Sequence, residues 1–243
     1  MEFSASAIVA GRGSIKRISS REKRVMTGDL SFMTKSLGCK IMPASGNVKS
    51  LSEHFKNQVS LLVGILILLF GIELIDAFLP GDHPLDRWGV QPRSLGGLPG
   101  IFFSPLLHDG FTHLGENSLS FVVLGWLVML GGLNRFINVT AIVILVSGVG
   151  TWLIGSPGSN HIGLSGVIFG YLGFILGRGW YERKLGSVIL AVLVGFFHIG
   201  MIFQLISVKA HVSWSMHFFG FLGGIITAWM MFHNPAKEKP LME

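Results

Sequence analysis

Three short stretches carry side chains that could do chemistry together. The first runs from His108 to Asn117. Its His113 and Asn117 are four residues apart, so a helix presents them on one face. The second, residues 161–166, ends in Gly163-Leu164-Ser165-Gly166 and offers one hydroxyl. The third, residues 214–224, contains His217 followed by Gly220 and Gly224. A serine, two histidines and an asparagine are the parts of nucleophilic acyl transfer. A hydroxyl is a weak nucleophile and needs an adjacent base, for which His217 is the candidate. The oxyanion that forms needs preorganised donors. The Ser165 backbone N–H, the Asn117 amide and the His113 imidazole can supply them. Neither helix segment around Ser165 or His217 holds an Asp or Glu, so the pair is expected to work without a carboxylate behind the imidazole. This chemistry calls for no cofactor and no metal.

The elements that must position these groups are membrane helices. Of the 243 residues 50% are apolar and only 13% charged, with a mean hydropathy of +0.60. A soluble domain carries about 25% charged residues. A disordered chain is excluded by the apolar content. The single cysteine, Cys39, excludes an internal disulfide framework and a cysteine-based zinc site. Six apolar runs are expected to span the membrane: 59–78, 113–131, 137–154, 163–177, 186–206 and 214–232. They are judged against the ~20 residues that cross the hydrocarbon. Residues 1–56 read as a basic, flexible cytoplasmic tail, 57–233 as the membrane domain, and 234–243 as a short cytoplasmic tail. The connection 79–112 is too long and too apolar for a plain linker and is expected to be an ordered loop in or on the membrane.

The +6 net charge follows topology rather than nucleic-acid binding, because the basic residues are not gathered on one folded face. With both termini inside, ten Lys/Arg of the tail, Arg135, Arg178, Arg183, Lys184, Lys237 and Lys239 are cytoplasmic, and only Arg87, Arg93 and Lys209 are outside. The second, fourth and sixth runs then all enter from the outer side. Their N-terminal ends, which carry Asn117 with His113, Ser165 and His217, share one depth, and the site opens outward. Intramembrane ionisable residues are costly and point to function.

Each residue has a plainer reading. A lone serine in an apolar helix usually bonds a backbone carbonyl, a lone histidine is usually a structural hydrogen bonder, and Gly220–Gly224 is a packing motif. The soluble-hydrolase elbow G-x-S-x-G is not met, since residue 167 is Val. No H-E-x-x-H is present, so a zinc protease has no support.

The ordered set His108-x4-His113-x3-Asn117, Gly163-Leu164-Ser165-Gly166 and His217-x2-Gly220-x3-Gly224 resembles the rhomboid family of intramembrane serine proteases, bacterial type. The resemblance covers 59–232 and leaves the tail unmatched. It implies an all-α, six-helix membrane bundle with a long loop between the first two helices. The activity it implies is an endopeptidase acting on single-pass or multi-pass membrane proteins in the bacterial inner membrane. Ser165 then matches the nucleophile, His217 the base, and Asn117 and His113 the oxyanion donors. Gly163 and Gly166 frame the serine, and His108 braces the first loop. Gly220 and Gly224 match close packing of the sixth helix on the fourth. Phe169 occupies the position of a ring that packs under the histidine, without the hydroxyl of the Tyr common there. The fifth helix and residues 207–213 match the substrate gate. Two alternatives use the same features: an inactive member that binds or chaperones membrane helices, and a transporter using the polar cluster. The oligomeric state is not encoded in any of these motifs.

Overall fold

The computed structural model describes residues 44–205 and 213–233. Most of the basic tail, the stretch 206–212 and the C-terminal residues 234–243 lie outside the described residues. What is described is helical, and one isolated antiparallel bridge pairs Val90 with His161. The helices are α1 (Ala44–Phe78), α2 (Gly100–Phe103), α3 (Gly110–Met129), α4 (Leu133–Ile154), α5 (Ser165–Glu182), α6 (Leu185–Phe197), α7 (Ile199–Gln204) and α8 (Trp214–Phe232).

Among the described residues three segments are long and apolar enough to cross a membrane: Ser52–Phe78, Leu133–Ile154 and Trp214–Phe232. At 1.5 Å per residue the 22 residues of α4 reach ~33 Å, slightly more than the hydrocarbon core. Large apolar side chains face outward, among them Ile67 and Leu68 on α1 and Phe196 and Phe197 on α6. Such exposure is favourable only against lipid, and the protein is an integral membrane protein.

Helix α5 lies at the centre. Val167, Ile168, Tyr171, Leu172, Phe174 and Ile175 are all buried, so it has no solvent or lipid face along most of its length. Backbone approach makes this possible. A Cβ at Gly220 would collide with the Gly166 carbonyl, and one at Gly224 with the Gly170 carbonyl. Helices α5 and α8 therefore touch backbone to backbone, the packing that small residues allow in lipid, where association depends on van der Waals fit. The Tyr171 hydroxyl reaches Thr140 Oγ1 on α4 at 2.7 Å, so its buried oxygen is satisfied.

Several boundaries differ from the sequence reading. The fourth run does not begin at Gly163, because that residue has φ +113°, a left-handed backbone that a right-handed helix cannot include. It also continues past Gly177 to Glu182, where Arg178 Nε and Glu182 Oε2 pair at 2.6 Å across one turn. Ser165 is thus the first helical residue. Arg135 belongs to the first turn of α4, not to a loop. The run 186–206 is broken at His198, whose ring Nδ1 and backbone N–H both turn to the Val194 carbonyl, at 3.1 and 2.9 Å.

Between α1 and α3 the chain forms three 3-10 turns and the short α2. This segment is tied to the end of α4: Arg93 Nη2 donates to the Gly155 carbonyl at 2.8 Å, and Trp152 Nε1 donates to the Ser94 carbonyl at 2.8 Å. Its bridge from Val90 to His161 fixes the strand of chain that leads into Ser165.

Candidate active site

Ser165 is placed by what precedes it. The Gly163 N–H donates to the Ser104 carbonyl at 2.8 Å, and the Leu164 N–H donates to His108 Nε2 at 3.2 Å. His108 is buried, and burial, helped by neighbouring His113, holds its pKa down to about 3. It is therefore neutral, with an accepting Nε2. These two bonds pin the turn and leave Ser165 at the N-terminus of α5. Its N–H belongs to a first turn that has no helical acceptors, and the helix dipole favours negative charge there.

His217 comes from the first turn of α8. Its Nε2 lies 2.9 Å from Ser165 Oγ, across 52 residues of sequence. With the ring proton on Nδ1, Nε2 accepts from the hydroxyl, the arrangement a general base requires. No described residue bonds Nδ1, so the histidine has no carboxylate orienter. Its plane is set instead by Phe169, stacked 4.1 Å away at 16°. Phe169 sits one turn below Ser165, so α5 presents the hydroxyl and the ring that packs on His217 on the same face. Ser147 on α4 donates to the Met216 carbonyl at 3.1 Å and holds the turn that carries His217.

His113 and Asn117 approach from α3. His113 Nδ1 accepts the Asp109 N–H at 3.4 Å, which leaves the proton on Nε2. A Cβ built on Gly163 would meet His113 Cε1 at 3.0 Å, His113 Nε2 at 3.3 Å and Ser165 Oγ at 3.7 Å. The space over Gly163 is thus shared by the imidazole and the hydroxyl, and it exists because residue 163 lacks a side chain. A Cβ on Gly166 would meet Ser147 Oγ at 2.6 Å, so glycine there brings α4, α5 and α8 together. Asn117 donates one amide proton to the His113 carbonyl at 3.0 Å, leaving the second. Ser165, His217 and Asn117 are buried yet retain 9%, 6% and 8% exposure, so the cluster is not sealed.

His161 lies in the loop before α5. Its ring bridges Ser159 Oγ at 2.7 Å and Ser213 Oγ at 2.6 Å, joining the loop before α5 to the residue before α8. Burial pushes its pKa below the ordinary value. Nothing local signals this tie, because the partners are 52 residues apart. Ser147, a hydroxyl inside an apolar run, is the sequence signal for the tie to Met216.

A helical membrane protein with a hydroxyl–imidazole contact at the ends of two tightly packed helices is a narrow class. Residues 96–234, more than half of the chain, match the Rhomboid domain. Uncharacterized protein Rv1337 of Mycobacterium tuberculosis is 38% identical over 188 residues, which is 74% of this chain and 78% of that protein. The Bacillus subtilis protein named "Putative rhomboid protease YdcA" is 30% identical over 133 residues, 51% of this chain and 63% of its own. RHOMBOID-like protein 5 of Arabidopsis thaliana is 30% identical over 139 residues, 53% of this chain and 42% of its own. The chain belongs to the rhomboid family.

Proposed function

We propose that this protein is an intramembrane serine endopeptidase that hydrolyses peptide bonds in or near the membrane segments of other proteins. The observation that carries the reading is the 2.9 Å contact between His217 Nε2 and Ser165 Oγ, made by residues on two different helices. Ser165 Oγ attacks the scissile carbonyl carbon while its proton passes to His217 Nε2. The oxyanion lies over Gly163 and takes hydrogen bonds from the Ser165 N–H, the His113 imidazole and the free Asn117 amide proton. Collapse breaks the C–N bond, and His217 returns the proton to the departing amine. Water then attacks the acyl ester, giving its proton to His217, and the acid leaves as Ser165 is restored. Asn117→Ala is expected to slow hydrolysis about 10²–10³-fold with the helical fold kept. An unchanged rate would remove Asn117 from this role.

The bundle has six spans in this reading: α1, α3, α4, α5, the broken α6–α7 pair and α8. The lysine and arginine distribution sets both termini in the cytoplasm and opens the site to the outer side of a bacterial inner membrane. The connection between α1 and α3 rests in the outer leaflet. Substrates are membrane-anchored proteins that reach the site past α6–α7, and the lipid bilayer is the other partner. The test is a cleavage assay in which single-pass proteins are co-expressed with the unmutated protein or with Ser165→Ala. Cleaved fragments with the first and none with the second are expected. Equal fragments from both would refute the proposal.

A further inference from the structure

A second polar cluster lies at the end of α1, apart from the serine. Asp76 stands in the last turn of α1, Glu73 one turn earlier, and His83 and Asp86 come from the chain just beyond. His83 Nδ1 is 3.2 Å from Asp76 Oδ2 and 3.9 Å from Glu73 Oε1. One ligand atom each from Asp76, His83 and Asp86 fall within 4.8 Å of one another. The Leu85 N–H donates to Asp76 Oδ1 at 2.7 Å, which turns the other oxygen toward the cluster. Glu73 is only 2% exposed, yet its Oε1, aimed at His83, has no hydrogen-bond partner among the described residues. Asp86 Oδ1 is buried and unpartnered in the same way.

Three carboxylates therefore converge on one imidazole. A single imidazolium balances only one of them, and buried carboxylates are retained where they are paired or bind a cation. The donor set narrows the cation. Carboxylates alone suit Ca²⁺ or Mg²⁺, whereas imidazole with carboxylates suits Zn²⁺ and its neighbours. Zn²⁺ bonds of ~2.0–2.2 Å need ligand atoms closer together than the present 4.8 Å cluster, so binding requires the side chains to rotate inward.

We propose that Asp76, His83 and Asp86, with Glu73 completing the set, bind one divalent transition-metal ion of the Zn²⁺ type. The ion replaces the His83 Nδ1 proton that faces Asp76. Its effect reaches the loop before Ser165, because the Asp86 carbonyl accepts the Asn160 amide at 2.6 Å and Val90 is bridged to His161. The ion is structural: it joins α1 to that loop and takes no part in hydrolysis.

The test uses the full-length protein purified in detergent and stripped with EDTA. Zn²⁺ is titrated by calorimetry, the bound metal is counted by elemental analysis, and thermal unfolding is followed with and without Zn²⁺. The expected result is one saturable Zn²⁺ per chain and a rise in the unfolding temperature. Affinity should fall at least about tenfold in His83→Ala and in Asp86→Asn, each checked for unchanged helicity, and stay the same in Ser165→Ala. Absence of saturable binding in the unmutated protein would mean that the cluster holds shared protons instead, and would overturn the proposal. So would Zn²⁺ binding that both His83→Ala and Asp86→Asn leave intact, or binding of Ca²⁺ in preference to Zn²⁺.

Discussion

Replacing His217 with alanine is expected to lower hydrolysis by at least ~10⁴-fold, to the same floor as Ser165→Ala. In the proposed mechanism the two residues act as one unit, so the double variant should be no slower than either single one. The imidazole is the sole base within hydrogen-bond reach of Ser165 Oγ among the described residues, and Nδ1 has no carboxylate to share its proton. Its removal leaves an ordinary alcohol, unreactive near neutral pH. Packing should survive, because His217 sits in a first turn whose backbone is held separately by the Ser147–Met216 bond. A matched circular dichroism spectrum with turnover lost is the expected pair of readings. Turnover within tenfold of the unmutated protein would assign the base to another group.

Gly224→Val is expected to destabilise the protein by ~3 kcal/mol or more and to abolish turnover. A Cβ at 224 meets the Gly170 carbonyl and lies 2.6 Å from the Phe174 nitrogen, both backbone atoms of a helix that is buried all round. Flexible side chains could yield, but here the helices themselves must separate, so the cost lies at or above the usual ~1–3 kcal/mol of overpacking. Parting α8 from α5 also parts His217 from Ser165, and a displacement of ~1 Å can cost 10²-fold in rate. Gly64→Ala is the control: nothing lies within 4 Å of the added carbon, so that variant should match or slightly exceed the parent in stability. Thermal unfolding in one detergent compares the two. Equal stability of both variants would mean that the α5–α8 contact is looser than described.

Part of the fold and of the site is legible from local rules. The four-residue spacing of His113 and Asn117 is readable because helix periodicity is a property of neighbours. The lysine and arginine bias is readable because it is a sum over loops. The apolar runs locate helices, yet their ends are poorly marked: Arg178 and Glu182 look like loop residues until they are seen to pair, and Arg135 likewise enters α4. Gly163 gives no hint in composition that its φ is positive, although that angle decides where α5 begins. The break at His198 falls inside an uninterrupted apolar run, with no proline there to mark it. The His161–Ser213 tie and the cluster around Asp76 are illegible in sequence for a different reason, since they join groups whose meeting depends on the tertiary fold.

In the proposed mechanism His217 makes the Ser165 hydroxyl nucleophilic. The direct measurement is labelling of the purified protein with a fluorophosphonate, followed by peptide mass spectrometry. One phosphonyl adduct on Ser165 is predicted, absent in Ser165→Ala and reduced to background in His217→Ala. An unlabelled Ser165 in the well-folded parent, or equal labelling in His217→Ala, would contradict it.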